Sequence, residues 1–174
     1  MGTFSITASD FSWIGGAADD PEDLCLHGHA AAQIGAVTLE YDCTLSAAAL
    51  YLLKTLTEDH IIHEDNQLLP CCGFFLLADK AEENVTIIGC DNGVDWTVRH
   101  EGDAVRLILE DGTEEVVSLS DYRAAVCRFA DAVEAYYNAC SPKKLPEDDF
   151  DRTGYLTFWK EWHRRRNACA EETP

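Results

Sequence analysis

The sequence predicts a single α+β domain in which an antiparallel β-meander sheet is packed by about three helices. Strand-like segments dominate the first two thirds of the chain and amphipathic helical segments end it, an order that favours α+β over a parallel βαβ fold. The 174 residues are 47% hydrophobic and include 4 Trp, 6 Tyr and 7 Phe. That composition is enough to bury one sizeable core.

The N-terminal third predicts two strands and a helix. Alternating polar and apolar residues predict strands over 24–34 and 36–43. The next segment, 46–60, is rich in Ala and Leu and is apolar at nearly every position through Leu53. This pattern predicts a helix that is buried on most sides. The polar stretch from His60 to Asn66 predicts a loop.

The middle of the chain predicts an antiparallel meander over 74–119. Continuous apolar runs at 74–78 and 85–90 are typical of strands that are covered on both faces. Beyond them, apolar and polar residues alternate, as in strands with one buried face. The turns contain Asn92-Gly93, Gly102 and Asp111-Gly112, which tolerate the positive φ angles that tight hairpins require.

Two helices are predicted to follow, over 120–140 and 153–167. Ser118 and Asp121 resemble a capping box at the start of the first helix. A proline-containing link at 141–146 separates the two helices, and it is too short to divide the chain into independent domains.

The last helix carries the one cluster of aromatic and basic residues in the sequence. We expect Trp159 and Trp162 to dock this helix against the core. We expect the three arginines at 164–166 to pair with acids on the sheet rather than with RNA.

The net charge is strongly negative. The chain has 13 Lys and Arg against 32 Asp and Glu, which gives −19 at pH 7. A body of this charge repels nucleic acid and anionic membranes, so we expect neither as a direct partner. The charge leaves open a basic protein partner, a divalent cation or acidity that serves only solubility. A structural or adaptor domain also stays an alternative.

The cysteines and the chain start indicate a reducing compartment. The first residues lack the basic start and apolar stretch of a secretory signal, and no apolar run is long enough to span a bilayer. We therefore expect a cytoplasmic protein whose eight cysteines are buried, reduced thiols. There is no CxxC pair, and we expect no cofactor. Cys71 and Cys72 would point to opposite faces of a strand, which disfavours joint metal ligation.

One short motif offers an alternative function, a small metal-dependent enzyme. Cys25, His27 and His29 would share one face if they lay on a strand, and a thiolate with two imidazoles can bind zinc with one position left open. Buried residues that only pack and hydrogen-bond explain the same motif. No nucleophile or phosphate-loop motif is present, and a Cys–His pair such as Cys90 with His100 has no support from spacing, so we predict no catalytic residues.

The stretch Ile87-Ile-Gly-Cys-Asp-Asn-Gly-Val-Asp-Trp96, followed by strands, an acidic hairpin and a helix from Ser120, resembles the SUKH-type superfamily over about residues 74–137. Bacterial members of that superfamily often neutralise partner toxins as immunity proteins. The resemblance implies a non-enzymatic protein-binding role, most simply toxin immunity.

An immunity role would use the acidic surface, because many toxins that cut nucleic acid present a basic cleft. The acids at the end of the first helix and at the turns of the meander are our predicted contacts with a basic toxin domain: Glu58, Asp59, Glu64, Asp65, Asp91, Asp95, Glu101 and Asp103.

Overall fold

The fold is α+β, as predicted, in a computed structural model that describes residues 1–171. The strands are β1 (Phe4–Ser12), β2 (His27–Ile34), β3 (Val37–Thr44), β4 (Leu69–Pro70), β5 (Phe75–Ala78), β6 (Val85–Ile88), β7 (Gly93–Val94), β8 (Thr97–Glu101), β9 (Ala104–Ile108) and β10 (Glu114–Ser118). The helices are α1 (Leu45–Lys54), α2 (Leu119–Ala139) and α3 (Asp149–Glu171). Within these residues, no helix has the length and apolar character needed to cross a membrane.

The N-terminal sheet has the order β1-β2-β3 and is antiparallel throughout. Strand β1 was not predicted, because its alternation rests on only two buried large residues, Phe4 and Ile6, among small and polar ones. Strand β2 begins at His27, later than predicted. The two strands β2 and β3 are joined by a tight turn in which Gly35 has a φ of 57°.

The predicted continuous meander over 74–119 is wrong in its pairing. Strands β8, β9 and β10 form one three-stranded antiparallel sheet, whereas β5 pairs with β6 and β7 pairs with β4. Asn92-Gly93 is not a hairpin turn: Gly93 lies in β7 opposite Pro70, where an added Cβ would lie 2.5 Å from the carbonyl oxygen of Leu69. Sequence patterns predicted the strands but not their partners, since pairing depends on distant contacts.

The β5–β6 hairpin is covered on one face only, contrary to the prediction. Val85 and Ile87 point into the core, whereas Phe74, Phe75 and Ile88 are exposed. The outer edge of β6 is bonded to side chains. Glu161 accepts from the Val85 N–H (2.7 Å), Lys54 Nζ donates to the Val85 carbonyl (2.8 Å) and Tyr51 Oη donates to the Ile87 carbonyl (3.0 Å).

Helix α1 is buried on most sides, as predicted, but it ends at Lys54 rather than at His60. Thr55 turns the chain, with its hydroxyl hydrogen-bonded to the Leu52 carbonyl (2.7 Å). Beyond it, His60 forms a β-bridge with Val98 of β8, through N–H to carbonyl distances of 2.9 and 2.8 Å. The polar segment after α1 is therefore anchored to the β8–β9–β10 sheet.

Helices α2 and α3 close the core. The predicted cap is confirmed, since the Ser118 hydroxyl accepts from the Asp121 N–H at 3.0 Å. Helix α3 is longer than predicted, and its aromatic residues dock it as expected: Trp162 is fully buried and Phe158 is nearly so. Gly154 permits this approach, because a Cβ there would lie 2.0 Å from the carbonyl oxygen of Leu76 in β5.

The three arginines of α3 do not pair with acids on a sheet face, contrary to the prediction. Arg164 bonds Asn84 (2.6 Å) in the β5–β6 turn, and Arg166 bonds Asp131 of α2 (2.6 Å). Arg165 bonds Glu58 (2.6 Å) after α1 and Glu161 (2.7 Å) within α3. Arg165 and Arg166 pair with acids, as expected, but those acids lie on helices and at a helix end; Arg164 binds an amide oxygen and the Glu83 backbone carbonyl (3.0 Å) instead.

Candidate acidic binding surface

The segment 55–68, between α1 and β4, carries four of the acids that were predicted to contact a partner. Besides the His60 bridge, the Ile62 N–H donates to Thr97 Oγ1 (3.0 Å) and Asn66 Nδ2 donates to the Ile87 carbonyl (3.3 Å). Asp65 accepts from the Ile61 N–H (3.0 Å) and closes a local turn. The loop is thus held at both ends, and its carboxylates are displayed on a fixed backbone.

His63, at the tip of this loop, has a φ of 69°. A residue with a Cβ rarely adopts the left-handed conformation, which costs free energy and is found most often at turns and functional sites. The His63 side chain is exposed and its Nε2 lies 3.8 Å from Glu110 Oε1. The bend therefore brings the loop tip against the β9–β10 turn.

Two adjoining depressions, of about 590 and 360 Å³, are lined by residues of the loop tip. They share His63, Gln67 and Asp91 among their lining residues. We call the combined feature the acidic groove, after the four acids with surface carboxylates that line it: Glu64, Asp65, Asp91 and Glu110.

A third depression, of about 220 Å³, adjoins the acidic groove through Asp65. Glu58 and Asp59 also line it, at the end of α1. Lys54 is the single Lys or Arg that lines any of these three depressions within residues 1–171, and its ammonium group is held by the Val85 carbonyl and by Glu161 at 3.4 Å. The field in this concave region is consequently negative.

The acids of the region differ in how far they are already paired. Glu58 binds Arg165, and Asp59 Oδ1 accepts from the His100 N–H (2.8 Å) and lies 2.9 Å from His100 Nδ1. These hydrogen bonds from His100 lower the pKa of Asp59. By contrast, the carboxylates of Glu64 and Asp91 have no hydrogen-bond or ion-pair partner in the part of the chain that the structure describes.

Asp95, which the sequence placed on the binding surface, is held in the protein interior. Its side chain is only 8% exposed, lies 2.7 Å from His60 Nε2 and accepts from the Leu68 N–H at 3.1 Å. The carboxylate therefore satisfies groups inside the protein, and Asp95 is not among the surface carboxylates of the acidic groove. His60 itself is buried, although its polar neighbours predicted an exposed loop.

Glu101 and Asp103, in the β8–β9 hairpin, do not line the acidic groove. Both oxygens of Glu101 bind the Arg106 guanidinium (2.7 and 3.0 Å), which also binds Glu114 at 2.6 Å. The pairing with Arg106 lowers the pKa of Glu101. Asp103 is exposed, and its backbone carbonyl accepts from the N–H of Leu119 at the start of α2 (2.8 Å).

The structure does not bring Cys25, His27 and His29 together as one strand face. Cys25 precedes β2 and is buried, with its thiol donating to the Gly73 carbonyl at 3.8 Å. Burial raises the pKa of Cys25 to about 12, whereas a metal ligand must be a thiolate. His29 lies 2.8 Å from Asp42, which raises the pKa of His29. Within residues 1–171, no three His, Cys, Asp or Glu side chains are arranged to hold a metal ion.

Two features of the surface were missed by the sequence reasoning. Glu110 joins the acidic groove because the β9–β10 turn lies against His63, a contact that no local pattern encodes. The second feature is the position of Cys90, which the sequence could only pair with His100 as a hypothetical Cys–His pair. In the structure His100 binds Asp59, and Cys90 lies beside Cys71 and Cys72. The adjacent cysteines Cys71 and Cys72 were the one sequence feature that could have indicated this cysteine cluster.

No protein-family model, no curated protein and no solved structure matches this chain.

Proposed function

We propose that the chain is a non-enzymatic protein-binding protein, an immunity protein that acts in the cytoplasm and neutralises a basic bacterial toxin with its acidic groove. One observation carries this proposal. Five of the acids expected to contact a partner line adjoining depressions on one side of the molecule: Glu58, Asp59, Glu64, Asp65 and Asp91.

The shape and the charge of the acidic groove both favour a basic partner. A concave surface lined by carboxylates of one sign focuses the field and raises the rate of encounter with an oppositely charged protein. The carboxylates of Glu64 and Asp91 line these depressions without a partner in the described residues, so they are free to accept hydrogen bonds from Lys or Arg side chains. Nucleic-acid-cleaving toxins expose such side chains around their substrate cleft. The SUKH-type resemblance implies the same role.

The direct test is binding to the basic protein encoded beside this gene, measured by calorimetry at several salt concentrations. We expect a complex at low salt that weakens steeply as salt rises, because exposed charge pairs are screened. Failure to bind that protein at low salt would overturn the proposal.

A matched pair of variants then tests whether the acidic groove is the contact. The groove variant carries Glu64→Gln, Asp65→Asn, Asp91→Asn and Glu110→Gln. The control removes the same four charges from exposed acids elsewhere: Glu40→Gln, Glu82→Gln, Glu147→Gln and Asp151→Asn. At about 0.5 kcal/mol per lost pair, the groove variant should bind roughly 30-fold more weakly, with a much smaller effect in the control. Equal losses in both variants would show that only net charge matters.

A further inference from the structure

Three of the eight cysteines, Cys71, Cys72 and Cys90, meet beside the acidic groove. Cys71 and Cys90 are exposed and Cys72 is half-buried, whereas the sequence predicted buried thiols. Cys71 and Cys72 follow β4 and do not lie on a strand, so the strand geometry that would point them to opposite faces does not apply, and both thiols are hydrogen-bond neighbours of Cys90. Two hydrogen bonds hold their segment against the end of β6. The Cys71 N–H donates to the Asn92 carbonyl (2.9 Å), and the Cys90 N–H donates to Cys72 Sγ (2.9 Å).

A glycine makes this close approach possible. A Cβ on Gly89 would lie 2.1 Å from the carbonyl oxygen of Cys72 and 3.3 Å from its sulfur. No other residue could occupy position 89 without moving one backbone away from the other. The proximity of Cys72 and Cys90 is therefore fixed by the fold and does not depend on a flexible side chain.

The chemistry of the two thiols is complementary. Cys90 is exposed, and its pKa falls to about 7, chiefly because Cys72 donates a hydrogen bond to its sulfur and secondly because the Asn92 N–H does so. The same hydrogen bond to Cys90 raises the pKa of Cys72, which stays a thiol. By contrast, burial raises the pKa of Cys43 to about 12. Cys90 is thus an accessible thiol that ionises near neutral pH, with a second thiol at its side.

We propose that Cys90 and Cys72 form a reactive dithiol that hydroperoxides oxidise to a Cys72–Cys90 disulfide. This inference does not rest on the immunity function. It assigns a modification site to a sequence segment that the acidic groove does not use, and the oxidant is a hydroperoxide.

The reaction has two balanced steps. The Cys90 thiolate attacks the terminal oxygen of the hydroperoxide, so an S–O bond forms, the O–O bond breaks, and the leaving hydroxide or alkoxide takes up a proton. The Cys72 sulfur then attacks the sulfenic sulfur of Cys90. An S–S bond forms, the S–O bond breaks, and the departing hydroxide combines with the Cys72 proton to give water. The two thiols lose two electrons and the hydroperoxide gains two.

Peptide mapping of the intact protein tests the product. Reduced protein is treated with one equivalent of hydrogen peroxide, blocked with iodoacetamide and digested with trypsin without reductant. Cleavage after Lys54, Lys80 and Arg99 separates Cys71 and Cys72 from Cys90. We expect the peptides 55–80 and 81–99 to be joined by a disulfide. A wild-type digest without that linked pair would overturn the proposal.

Two single variants identify the partner of Cys90. The linked peptides should persist in Cys71→Ala and disappear in Cys72→Ala. The reverse pattern would assign the disulfide to Cys71 and contradict the proposal. Both substitutions lie directly after β4 and remove one sulfur atom each. Cys71→Ala therefore controls for any general disturbance of the segment.

Alkylation rates provide a readout that does not depend on disulfide formation. At pH 7, Cys90 should react with iodoacetamide about five- to tenfold faster than an ordinary exposed thiol, after allowance for the lower nucleophilicity of a more acidic thiol. In Cys72→Ala the rate at pH 7 should fall several-fold, because the principal hydrogen bond to the thiolate is lost. A rate unchanged by Cys72→Ala would show that Cys72 does not activate Cys90.

Discussion

The acids in and next to α3 carry the same sign of charge as the acids of the acidic groove, but the two sets have opposite relations to the fold. Around α3, Glu161, Glu134 and Asp131 each bind a side chain of that helix: Arg165, His163 and Arg166. In the acidic groove, Glu64 and Asp91 have no such partner within the described residues. The first set of charges is used to assemble the protein, and the second is left facing solvent.

This difference shows that the net charge of −19 is a poor guide to where a partner could bind. Removing a paired buried acid leaves its cation and its hydrogen-bond donors unsatisfied. Removing an unpaired surface acid relieves repulsion between like charges. The same substitution should therefore change stability in opposite directions in the two regions, which makes the comparison testable.

The largest expected effect is at Glu161. This side chain is fully buried, accepts from the Val85 N–H and binds Arg165 and Lys54. We expect Glu161→Ala to lower the free energy of unfolding by about 3–5 kcal/mol, because it leaves the Val85 N–H without an acceptor, Lys54 without its carboxylate and Arg165 with only one of its two carboxylates. Urea denaturation measures the loss. The control, Glu64→Ala in the acidic groove, should stay within about 0.5 kcal/mol. Similar losses in both variants would remove the distinction between the regions.

The second largest effect concerns the close packing of α3 against the β5–β6 hairpin, which places Glu161 beside Val85. We expect Gly154→Ala to destabilise the protein by about 1–3 kcal/mol, because the new methyl group would overlap the Leu76 carbonyl. Thr153→Ala, one residue earlier on the same helix, is the control and should have a much smaller effect. Thermal unfolding of the two variants side by side gives the answer, and equal melting temperatures would contradict the packing.

A smaller effect tests whether the change in the free energy of unfolding has opposite signs in the two regions. The double variant Glu64→Gln, Asp91→Asn should stabilise the protein by a few tenths of a kcal/mol at low ionic strength, since it reduces repulsion, and the gain should vanish in 1 M salt. Asp131→Asn should instead destabilise by up to about 1 kcal/mol, because it breaks the exposed pair with Arg166. Chemical denaturation at both salt concentrations resolves the signs. A loss in the groove variant would mean that its acids stabilise the fold.

The smallest effect concerns Asp59, which lies between the two regions. His100 lowers the pKa of Asp59 below its ordinary 3.8, so the carboxylate stabilises the folded state above that pH. The contribution is lost as the pH falls through the lower folded-state pKa. The stability gap between the wild type and Asp59→Asn should consequently be present at pH 6 and shrink toward pH 3. Unfolding curves at the two pH values measure it, and a gap that widens in acid would have the wrong sign.

The sequence predicted the parts of this molecule that depend on local periodicity. The start of α2 follows from Ser118 and Asp121, and the burial of α1 follows from its uninterrupted apolar run. What failed depends on distant partners. The segment after α1 is held by the bridge between His60 and Val98, and the buried carboxylate of Asp95 is bonded to His60 and to the Leu68 N–H. Charge alone could not distinguish the carboxylate of Asp95 from the exposed ones. The acidic groove could not be predicted either, because it includes Glu110, which is brought close by its contact with His63.

The side chains along the outer edge of β6 have a consequence for association between copies of the protein. A two-stranded hairpin with a free edge offers its N–H and carbonyl groups as a template for a strand of another chain, the first step in domain swapping and aggregation. Glu161, Lys54 and Tyr51 occupy three of those groups, and two of the three side chains are charged. A foreign strand would have to displace a buried carboxylate and an ammonium group before it could pair. The ion pairs that hold α3 in place therefore also block the edge of the β5–β6 hairpin against pairing with a strand of another chain.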